Sequence, residues 1–414
     1  MLKGPVALGT IRTSFVLALR LFIQAGTLLL VAPMLGPKEF GAFAGIASLA
    51  VLLGALSTFG TNLVLFGEIS KESTKRNQVL SYAIPTTLLC GGLLFAVYLA
   101  VAFWLLPDNS LSWQVLLAIG IAEMLLQPLF GLMSTEHHAL GRIARAQLMQ
   151  NTFLVLRLLT AAIIFFLGLT PAIDIYAGGY FLASVLALLL GVYCLPERWP
   201  HWQEWRLPRL EEWRHAFGYA AINISKSGSS ELDKTLAVKL LPLEAAGIYA
   251  AGSRVVGAIT LPVTAMTLAA LPRLFRESWS HEVNSKKLLR LMHVAAFAYG
   301  CVLAGGVWLV APALEMLFGQ KYQGMCEVIR WLCLAIPGIA LRLVTGNALL
   351  AIDKPWFRFF FELVGMIVLV LACFVLVVAI GNVGLPVGLV VAEWCMAVIG
   401  FILVGLVNSS VSNK

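Results

Sequence analysis

The chain has 414 residues, of which 60% are hydrophobic and only 12% are charged, and its formal net charge is +8. An ordinary soluble domain carries about 25% charged residues. Half that share over this length excludes a soluble enzyme, a disordered chain and a nucleic-acid-binding protein, and it predicts a polytopic membrane protein. The cysteines lie mostly in apolar runs without a CxxC or Cys/His cluster, so we expect free thiols and no metal site.

Twelve segments are long and apolar enough to cross a bilayer, which takes about 20 mostly apolar residues per helix. We therefore predict an all-α polytopic membrane protein with about 12 transmembrane helices. Very short turns join several neighbours, which must then be antiparallel. The predicted spans are 11–35, 40–66, 79–106, 112–134, 148–170, 173–195, 215–241, 245–271, 289–311, 325–351, 356–380 and 382–407.

The basic residues outside these spans lie almost entirely in loops on one side. The opposite loops hold only Lys38, Lys239 and Lys321. Cytoplasmic loops are enriched in lysine and arginine, so the basic side is predicted to be the cytoplasm, with both termini there. Most of the positive charge is therefore explained by the orientation of the protein in the membrane and requires no anionic partner.

The longest segment between spans, 196–214, holds four tryptophans among charged residues. Indole rings favour the headgroup layer, so we interpret this segment as an interfacial cytoplasmic linker, with docking of a partner protein as the alternative. It separates an N-terminal six-helix lobe, 1–195, from a C-terminal six-helix lobe, 215–414. An offset of 206 residues aligns Gly41 with Gly247 and Arg20 with Lys226, which predicts two parallel, pseudo-symmetric bundles.

Charged residues inside the spans are the strongest functional signal. At mid-bilayer each costs about 2.5–3.5 kcal/mol on insertion scales, so it normally faces a bundle interior or a wet cavity. Bases outnumber acids in the spans, which favours a cavity for an anion over a set of structural ion pairs. The candidates for cationic substrate binding are Arg20, Lys226, Arg254, Arg157 and Arg330.

Span 7 is the most polar span, with INISKSGSSELDK at 222–234. Its polar residues recur at helical spacing, so this helix must line something polar, and its own charges can pair in part. The polar-lining candidates are Gln24, Asn223 and Ser230. The acids are candidates for partners of the bases or for a proton or sodium site, namely Asp233, Glu231, Glu123 and Glu393.

Four further polar residues lie near cytoplasmic helix ends. We expect Arg342 and Glu362 to extend toward the membrane surface, and His137 and His138 to contact headgroups rather than a metal. The sequence contains no GxxxxGK[ST] and no arrangement of a nucleophile with a base. We therefore predict no ATP hydrolysis and no other enzyme activity.

Four segments resemble, in order, the motifs of a known family. MLGPKEFGAFAGIASL at 34–49 resembles the signature after the first helix of polysaccharide transporters, and AAGIYAAGSRVVG at 245–257, after Asp233, resembles their pattern across spans 7 and 8. LFGQKYQGM at 317–325 and ALLAIDKPWFR at 348–358 resemble their entry to and exit from span 10. The chain is thus similar to the Wzx-type lipid-linked oligosaccharide flippases of the MOP superfamily.

This resemblance implies a MOP/MATE-like fold that moves an undecaprenyl-pyrophosphate-linked oligosaccharide from the cytoplasmic to the outer leaflet of the bacterial inner membrane by alternating access. It implies a cationic cavity in which Arg20, Lys226 and Arg254 attract the pyrophosphate. No cofactor is expected, and an H+ or Na+ gradient is the expected energy source. The expected partners are the lipid-linked substrate and membrane lipids, with no nucleic acid. The resemblance implies a monomer that can associate with other polysaccharide-assembly proteins.

Two other functions stay open on the sequence. A multidrug or small-metabolite cation antiporter of the same superfamily is disfavoured by Arg20, because the related antiporters have a carboxylate on that face of span 1. A membrane glycan polymerase or ligase is disfavoured because no outer loop is long enough to house a catalytic site. Lipid II flippases also differ, since they have fourteen spans.

Overall fold

The computed structural model describes residues 5–107, 110–263, 282–351 and 355–412, and these are almost entirely helical. Runs of aliphatic and aromatic residues form long helices because, in lipid, every backbone N–H and C=O must be paired within the segment. The described helices are α1 (Pro5–Gly54), α2 (Thr61–Lys71), α3 (Arg76–Leu105), α4 (Trp113–Ile121), α5 (Gln127–Ala139), α6 (Ile143–Leu167), α7 (Ala172–Tyr193), α8 (Leu210–Leu240), α9 (Leu243–Ile259), α10 (Glu282–Phe318), α11 (Met325–Cys333), α12 (Ile336–Ala351), α13 (Pro355–Ile380) and α14 (Gly384–Ser412).

These helices confirm the predicted all-α membrane fold. Within the described ranges, nine segments are long and apolar enough to cross a membrane when the bent pair α11–α12 is counted as one. Leu19–Gly54 covers most of the predicted span 11–35 and the first part of span 40–66, and Trp356–Leu403 covers span 356–380 and most of span 382–407. The predicted span absent from the nine is α8, because charged and hydroxyl residues fill its centre. Each of the twelve predicted spans thus coincides with helix over much of its length, while residues 264–271 of span 245–271 lie outside the described residues.

Four breaks interrupt the described spans. One separates α1 from α2 at residues 55–60, inside the predicted span 40–66, where Phe59 and Gly60 have φ values of 47° and 78°. In α1, Gly36 adopts a φ of 73°, a left-handed conformation that favours glycine, at the turn predicted between spans 1 and 2. A π-helical turn, Ala122–Leu126, joins α4 to α5. The axes of α11 and α12 differ by 43°. The last two breaks have no clear signal in the sequence.

The chain divides into two compact units. The first unit comprises Met1–Leu35 and Ala42–Ser227, and the second comprises Gly36–Gly41 and Gly228–Lys414. The division along α8 therefore falls after Ser227, beyond the segment 196–214, which lies wholly in the first unit. The sequence-based lobes 1–195 and 215–414 stay a prediction.

The short segment 36–41 belongs to the second unit because its backbone packs directly on α9. A Cβ atom on Gly41 would overlap the carbonyl oxygen of Leu243, and one on Gly247 would overlap that of Pro37. Only glycine allows two backbones to approach so closely. Gly41 and Gly247 are the glycines that the sequence repeat aligns, so the aligned pair is also a contact.

A buried cluster that we call the clasp, made of Arg76, Glu136 and Trp199, holds the linker on the first unit. The Arg76 guanidinium donates to Glu136 Oε2 at 2.7 Å and to the carbonyls of Glu197 at 2.9 Å and Arg198 at 3.2 Å. The Trp199 indole donates to Glu136 Oε1 at 2.6 Å. Arg76 is 5% exposed and Glu136 is 0% exposed. The linker is thus fixed to the start of α3 and the end of α5.

The end of α5 also corrects the expectation for His137. Its side chain is buried, and Nε2 lies 2.9 Å from the carbonyl oxygen of Cys194, just before the linker. Headgroup contact is therefore wrong for His137, because the ring is enclosed by protein. His138, the next residue, is exposed, as the expectation requires.

A second attachment lies farther along the linker. The backbone N–H of Arg206 donates to the carbonyl of Ser81 at 3.0 Å. The Arg206 guanidinium makes two bonds to the Glu212 carboxylate, at 2.6 and 2.7 Å, and lies 4.9 Å from the centre of the Tyr82 ring. This hydrogen-bonded pair lowers the pKa of the Glu212 carboxyl, and the same bonds raise the pKa of Arg206.

We expect Glu212→Gln to loosen this attachment in a pH-dependent manner. A carboxyl with a lowered folded-state pKa contributes stability above its unfolded pKa, about 4.3, and loses it as pH falls through the folded value. The variant should therefore unfold more easily than wild type at pH 7, by about 1 kcal/mol or less for a half-exposed pair. The difference should shrink as pH falls below about 4.3 and vanish below the folded-state pKa of Glu212. Melting curves of both proteins at several pH values measure it, and a pH-independent difference would contradict the prediction.

Candidate functional site

The first buried ion pair lies in the first unit, where the π-helical turn meets α6. Glu123 is 4% exposed, and its Oε1 accepts a hydrogen bond from Arg157 Nη2 at 2.8 Å and another from the Tyr180 hydroxyl. The Arg157 guanidinium carbon lies 3.5 Å from the centre of the Phe153 ring and 3.2 Å from that of Tyr180. Two of the sequence candidates are therefore partners, and the charge of Arg157 is balanced by Glu123.

The second cluster lies on α8 and α9 in the second unit. Asp233 is 4% exposed, and its Oδ2 accepts hydrogen bonds from the Tyr249 hydroxyl at 2.8 Å and the Ser253 hydroxyl at 3.0 Å. Lys234 Nζ lies 3.1 Å from Asp233 Oδ1 and 3.6 Å from Glu231 Oε2. This geometry confirms the predicted pairing among the charges of span 7. Lys234 also donates to the backbone carbonyl of Ser230, one of the polar-lining candidates.

The third cluster joins α12, α13 and α14. Arg342 donates from Nη1 to Glu362 Oε2 at 2.9 Å and from Nε to Glu393 Oε2 at 2.7 Å. Ser229 on α8 donates to the same Glu362 oxygen at 2.6 Å. Arg342 is 8% exposed and Glu362 is 5% exposed, so the expectation that they extend to the membrane surface is wrong. Each finds its opposite charge inside the unit, which removes the need to reach water.

The acids inside the spans are therefore all engaged. Five carboxylates form ion pairs with three bases. Glu123 pairs with Arg157, Lys234 pairs with Glu231 and Asp233, and Arg342 pairs with Glu362 and Glu393. A buried carboxylate that is hydrogen-bonded to a cation is stabilised as an anion, so each of these groups has a structural role on its own. These clusters hold two more carboxylates than bases, yet Arg20, Arg254 and Arg330 form no ion pair with any of these acids within the described residues.

Three intramembrane arginines form no ion pair within the described part of the chain. Arg20 is half-buried on α1 in the first unit. Arg254 on α9 lies 5.6 Å from the centre of the Phe40 ring, and Arg330 on α11 lies 5.5 Å from that of Trp308. The Arg330 Nε is buried without a hydrogen-bond partner.

The remaining candidates are only partly located by the structure. Lys226 lies on α8, and its side chain is outside the part of the chain that the structure describes. Asn223 donates to the side-chain oxygen of Asn62 at 3.1 Å, within the first unit. Gln24 is half-buried, one turn beyond Arg20. Whether these side chains line a cavity stays a prediction.

Sequence reasoning missed three residues that organise the acids, namely Tyr249, Ser253 and Arg342. The pairing of Glu231 with Lys234 was predicted, because residues three apart on a helix share a face. The other contacts join different helices, so no pattern within one helix reveals them. Across the described ranges, no group of three His, Cys, Asp or Glu side chains could hold a metal ion.

Several solved structures are similar to this chain along almost its whole length. An inward-facing multidrug resistance MATE family transporter of the MOP superfamily matches with a TM-score of 0.80 and 15% identity, covering 95% of this chain and 96% of that one. The lipid II flippase MurJ, in an inward closed conformation, matches with a TM-score of 0.74 and 13% identity over 96% and 87%. A MOP superfamily transporter from Pyrococcus furiosus matches with a TM-score of 0.69 and 14% identity over 98% and 96%.

At these identities the likeness shows the fold, which is that of the MOP superfamily, as predicted. A comparison with curated proteins gives no match. The sequence family described as "Polysaccharide biosynthesis protein" matches residues 8–278, well over half of the chain. The matched range includes Arg20, Asp233 and Arg254, and it covers the first two of the motifs on which the family resemblance rests. The chain belongs to the polysaccharide biosynthesis protein family and is a multi-pass membrane protein with the MOP fold.

Proposed function

We propose that this protein is a flippase that moves an undecaprenyl-pyrophosphate-linked oligosaccharide from the cytoplasmic to the outer leaflet by alternating access. The observation that carries the proposal is the set of intramembrane arginines without a carboxylate partner in the described ranges, Arg20, Arg254 and Arg330. A charge left unpaired in a spanning segment is costly, and it marks a substrate pathway by default. A pyrophosphate supplies the anion that these cations lack.

The family assignment supports the same substrate class, since its description names polysaccharide biosynthesis. Guanidinium groups suit phosphate because their planar N–H fork binds two oxygens at once. The sugars would pass along the polar residues of α8, including Asn223, Lys226 and Ser230, while the lipid tail stays in the bilayer. The proposal has both termini in the cytoplasm, because basic loops favour that side, and it has the protein in a bacterial inner membrane as a monomer.

Coupling to an H+ or Na+ gradient is part of the proposal. One charge moved through 100 mV supplies about 2.3 kcal/mol. The candidate acids are Asp233, Glu231, Glu123 and Glu393, each of which sits against a base in the structure. An ion that protonates or replaces one partner would therefore act by breaking a buried pair. Among these, Asp233 has hydroxyl donors on one oxygen and Lys234 on the other, so its protonation would release a lysine.

The test is a variant in which Arg20, Lys226 and Arg254 are all replaced by alanine. A hydrogen bond to a charged group is worth about 1.5–3 kcal/mol, and 1.4 kcal/mol is a factor of ten. We therefore expect surface glycan to fall by about tenfold or more, with lipid-linked units accumulating on the cytoplasmic side. The measurement is surface glycan against membrane-protein level in a strain that lacks the native copy.

The matched control replaces Arg20 and Arg254 by lysine, which keeps both charges and loses the planar fork. We expect it to retain more transport than the alanine variant. Normal surface glycan in the triple alanine variant at wild-type protein level would reject the proposed role of these cations. If surface glycan falls equally in the lysine control, the planar shape of the guanidinium and not its charge is what these two positions require.

The second candidate is a multidrug or small-metabolite antiporter, which the similarity to a MATE family transporter favours. Under that function, a strain without the protein would become drug-sensitive while its surface glycan stayed intact. Arg20 and Arg254 would then repel a cationic drug, and replacing them with alanine would leave resistance unchanged or raise it. The two functions thus predict opposite results for the same variants.

A further inference from the structure

The residues 202–210, which we call the collar, present an apolar side that the first unit does not cover. Trp202 is 67% exposed, Leu207 is 63% exposed and Leu210 is 69% exposed. These values match those of side chains on the outer surface of the spanning helices, such as Leu93 at 68%. Burying apolar surface is worth about 25 cal/mol per Å², so leaving three large side chains in water would be unfavourable.

The hydrogen bonds of the linker show where this surface lies along α3. Arg76, the first residue of α3, binds the carbonyls of Glu197 and Arg198. Ser81, five residues farther into α3, binds the backbone of Arg206. A helix rises about 1.5 Å per residue, so the linker descends by about 7.5 Å along α3 between these two points. It runs from the helix start in the direction of the membrane core.

That descent corresponds to the thickness of one headgroup layer. A bilayer of about 40–45 Å with a hydrocarbon core of about 30 Å leaves roughly 5–8 Å for each polar layer. Ser81, which binds Arg206, lies inside the predicted span 79–106, whereas Arg76 lies just before it. These positions favour a depth for the Arg206 backbone at the boundary between lipid headgroups and acyl chains.

The polar groups of the collar fit this position as well. Arg206 is bonded twice to Glu212 and lies over the Tyr82 ring, so its charge is neutralised where the surroundings become less polar. Trp205 donates its indole N–H to the carbonyl of Pro200 at 3.3 Å. Arg209 is exposed beside Leu210 and can reach lipid phosphates. Arg206 thus packs against the protein, while Gln203, Glu204 and Arg209 are exposed beside the apolar side chains.

We propose that the collar lies in the headgroup layer, with Trp202, Leu207 and Leu210 inserted at the boundary of the acyl chains, and that phospholipid is the partner of this surface. The clasp and the Ser81–Arg206 bond hold the collar at that depth. The collar thereby anchors the first unit at a fixed height in the membrane. This inference does not depend on which substrate the protein moves.

The test measures depth with spin labels. A variant without native cysteines receives one cysteine at Trp202, Leu207 or Leu210, carries a nitroxide and is placed in nanodiscs of phosphatidylethanolamine and phosphatidylglycerol. Oxygen partitions into the acyl region, whereas a nickel chelate stays in water. We expect collision with oxygen to exceed collision with nickel at all three positions.

Two positions in the same unit calibrate the scale. Glu72, in the loop before α3, should favour nickel, and Phe103, a 59% exposed residue within α3, should favour oxygen more than the collar does. Nickel accessibility equal to that of Glu72 at the collar would overturn the proposal and indicate a surface open to a soluble partner. Low accessibility to both reagents would also overturn it, because it would indicate a protein contact such as a second copy.

A second measurement keeps the native cysteines and covers the case in which a labelled variant does not fold. The difference in emission between wild type and Trp202→Phe isolates the Trp202 indole. We expect lipids brominated near the headgroup end of the acyl chain to quench this component, and lipids brominated near the chain terminus to quench it less. An unquenched Trp202 component in a folded protein would reject insertion of this side chain.

Discussion

Replacing Arg342 by methionine should lower the free energy of unfolding by about 3–5 kcal/mol, the range for removing one partner of a buried ion pair. Arg342 holds the carboxylates of Glu362 and Glu393 at 2.9 and 2.7 Å, and all three side chains are buried. The variant would leave two adjacent buried carboxylates without the guanidinium that bonds to both of them. Chemical unfolding in mixed micelles, followed by tryptophan emission, measures the loss.

The matched control is Arg330→Met, the same substitution at another intramembrane arginine of the second unit. Arg330 has no carboxylate partner in the described ranges, so its removal orphans no acid. We expect little loss of stability there. A third variant combines Arg342→Met with Glu362→Gln and Glu393→Gln, and it should recover much of the lost stability. Equal losses at Arg330 and Arg342 would show that the acids do not depend on Arg342.

These variants separate two roles for intramembrane cations. Arg157, Lys234 and Arg342 balance acids and therefore contribute to packing and stability. Arg20 and Arg254 form no ion pair within the described residues, so we expect their replacement to affect transport with little effect on stability. The excess of bases over acids in the spans indicates that some bases have no acid partner. The contacts between helices are needed to show which bases these are.

The sequence predicts the spans well because their signal is local and repeated. Length and hydropathy predict twelve spans, and α8 is the one whose described helix is too polar to meet the criterion for a membrane span. The ion pairs are different, since Arg157 and Glu123 are 34 residues apart and Arg342 and Glu393 are 51 apart. No periodicity links such pairs, and the π-helical turn that places Glu123 has no sequence signature of its own.

The family motifs gain a physical reason from the structure. The segments MLGPKEFGAF and AAGIY meet where Gly41 and Gly247 pack backbone to backbone, so two motifs that look independent form one contact. Gly319 and Gly324, in the third motif, have φ values of 85° and 90°, which favour glycine in a turn. These glycines explain fold and not transport, which is why a motif match alone does not identify the substrate.

For the linker, the amino-acid composition predicts a position at the membrane interface. It does not predict which residues of the first unit hold the linker. Tryptophans among charges indicate an interfacial segment, yet nothing in 196–214 reveals that Arg76 and Glu136 hold it. From the sequence alone, Arg76 is one of many cytoplasmic basic residues, and Glu136 is an acidic residue in a loop near a helix end. Their burial becomes evident only when α3, α5 and the linker are placed together.

Replacing Arg76 by methionine should lower the free energy of unfolding of the first unit by about 3–5 kcal/mol, since it leaves a fully buried Glu136 with only the Trp199 indole. It also removes both guanidinium bonds to the linker carbonyls. Linker amides from 197 to 206 should therefore exchange faster with deuterium, and the collar should lose its fixed depth. Chemical unfolding and hydrogen exchange measure the two effects on one sample.

Lys75 provides the matched control, because it precedes Arg76 and pairs with exposed acids at 3.2 and 3.6 Å. Surface pairs of this kind are worth about 0–1 kcal/mol, so Lys75→Met should change neither stability nor linker exchange appreciably. Combining Arg76→Met with Glu136→Gln should restore part of the stability, because no buried charge is then orphaned. It should leave linker exchange fast, since the bonds to Glu197 and Arg198 are still missing. Slow linker exchange in that double variant would show that the attachment depends on Ser81 and Arg206 and not on Arg76.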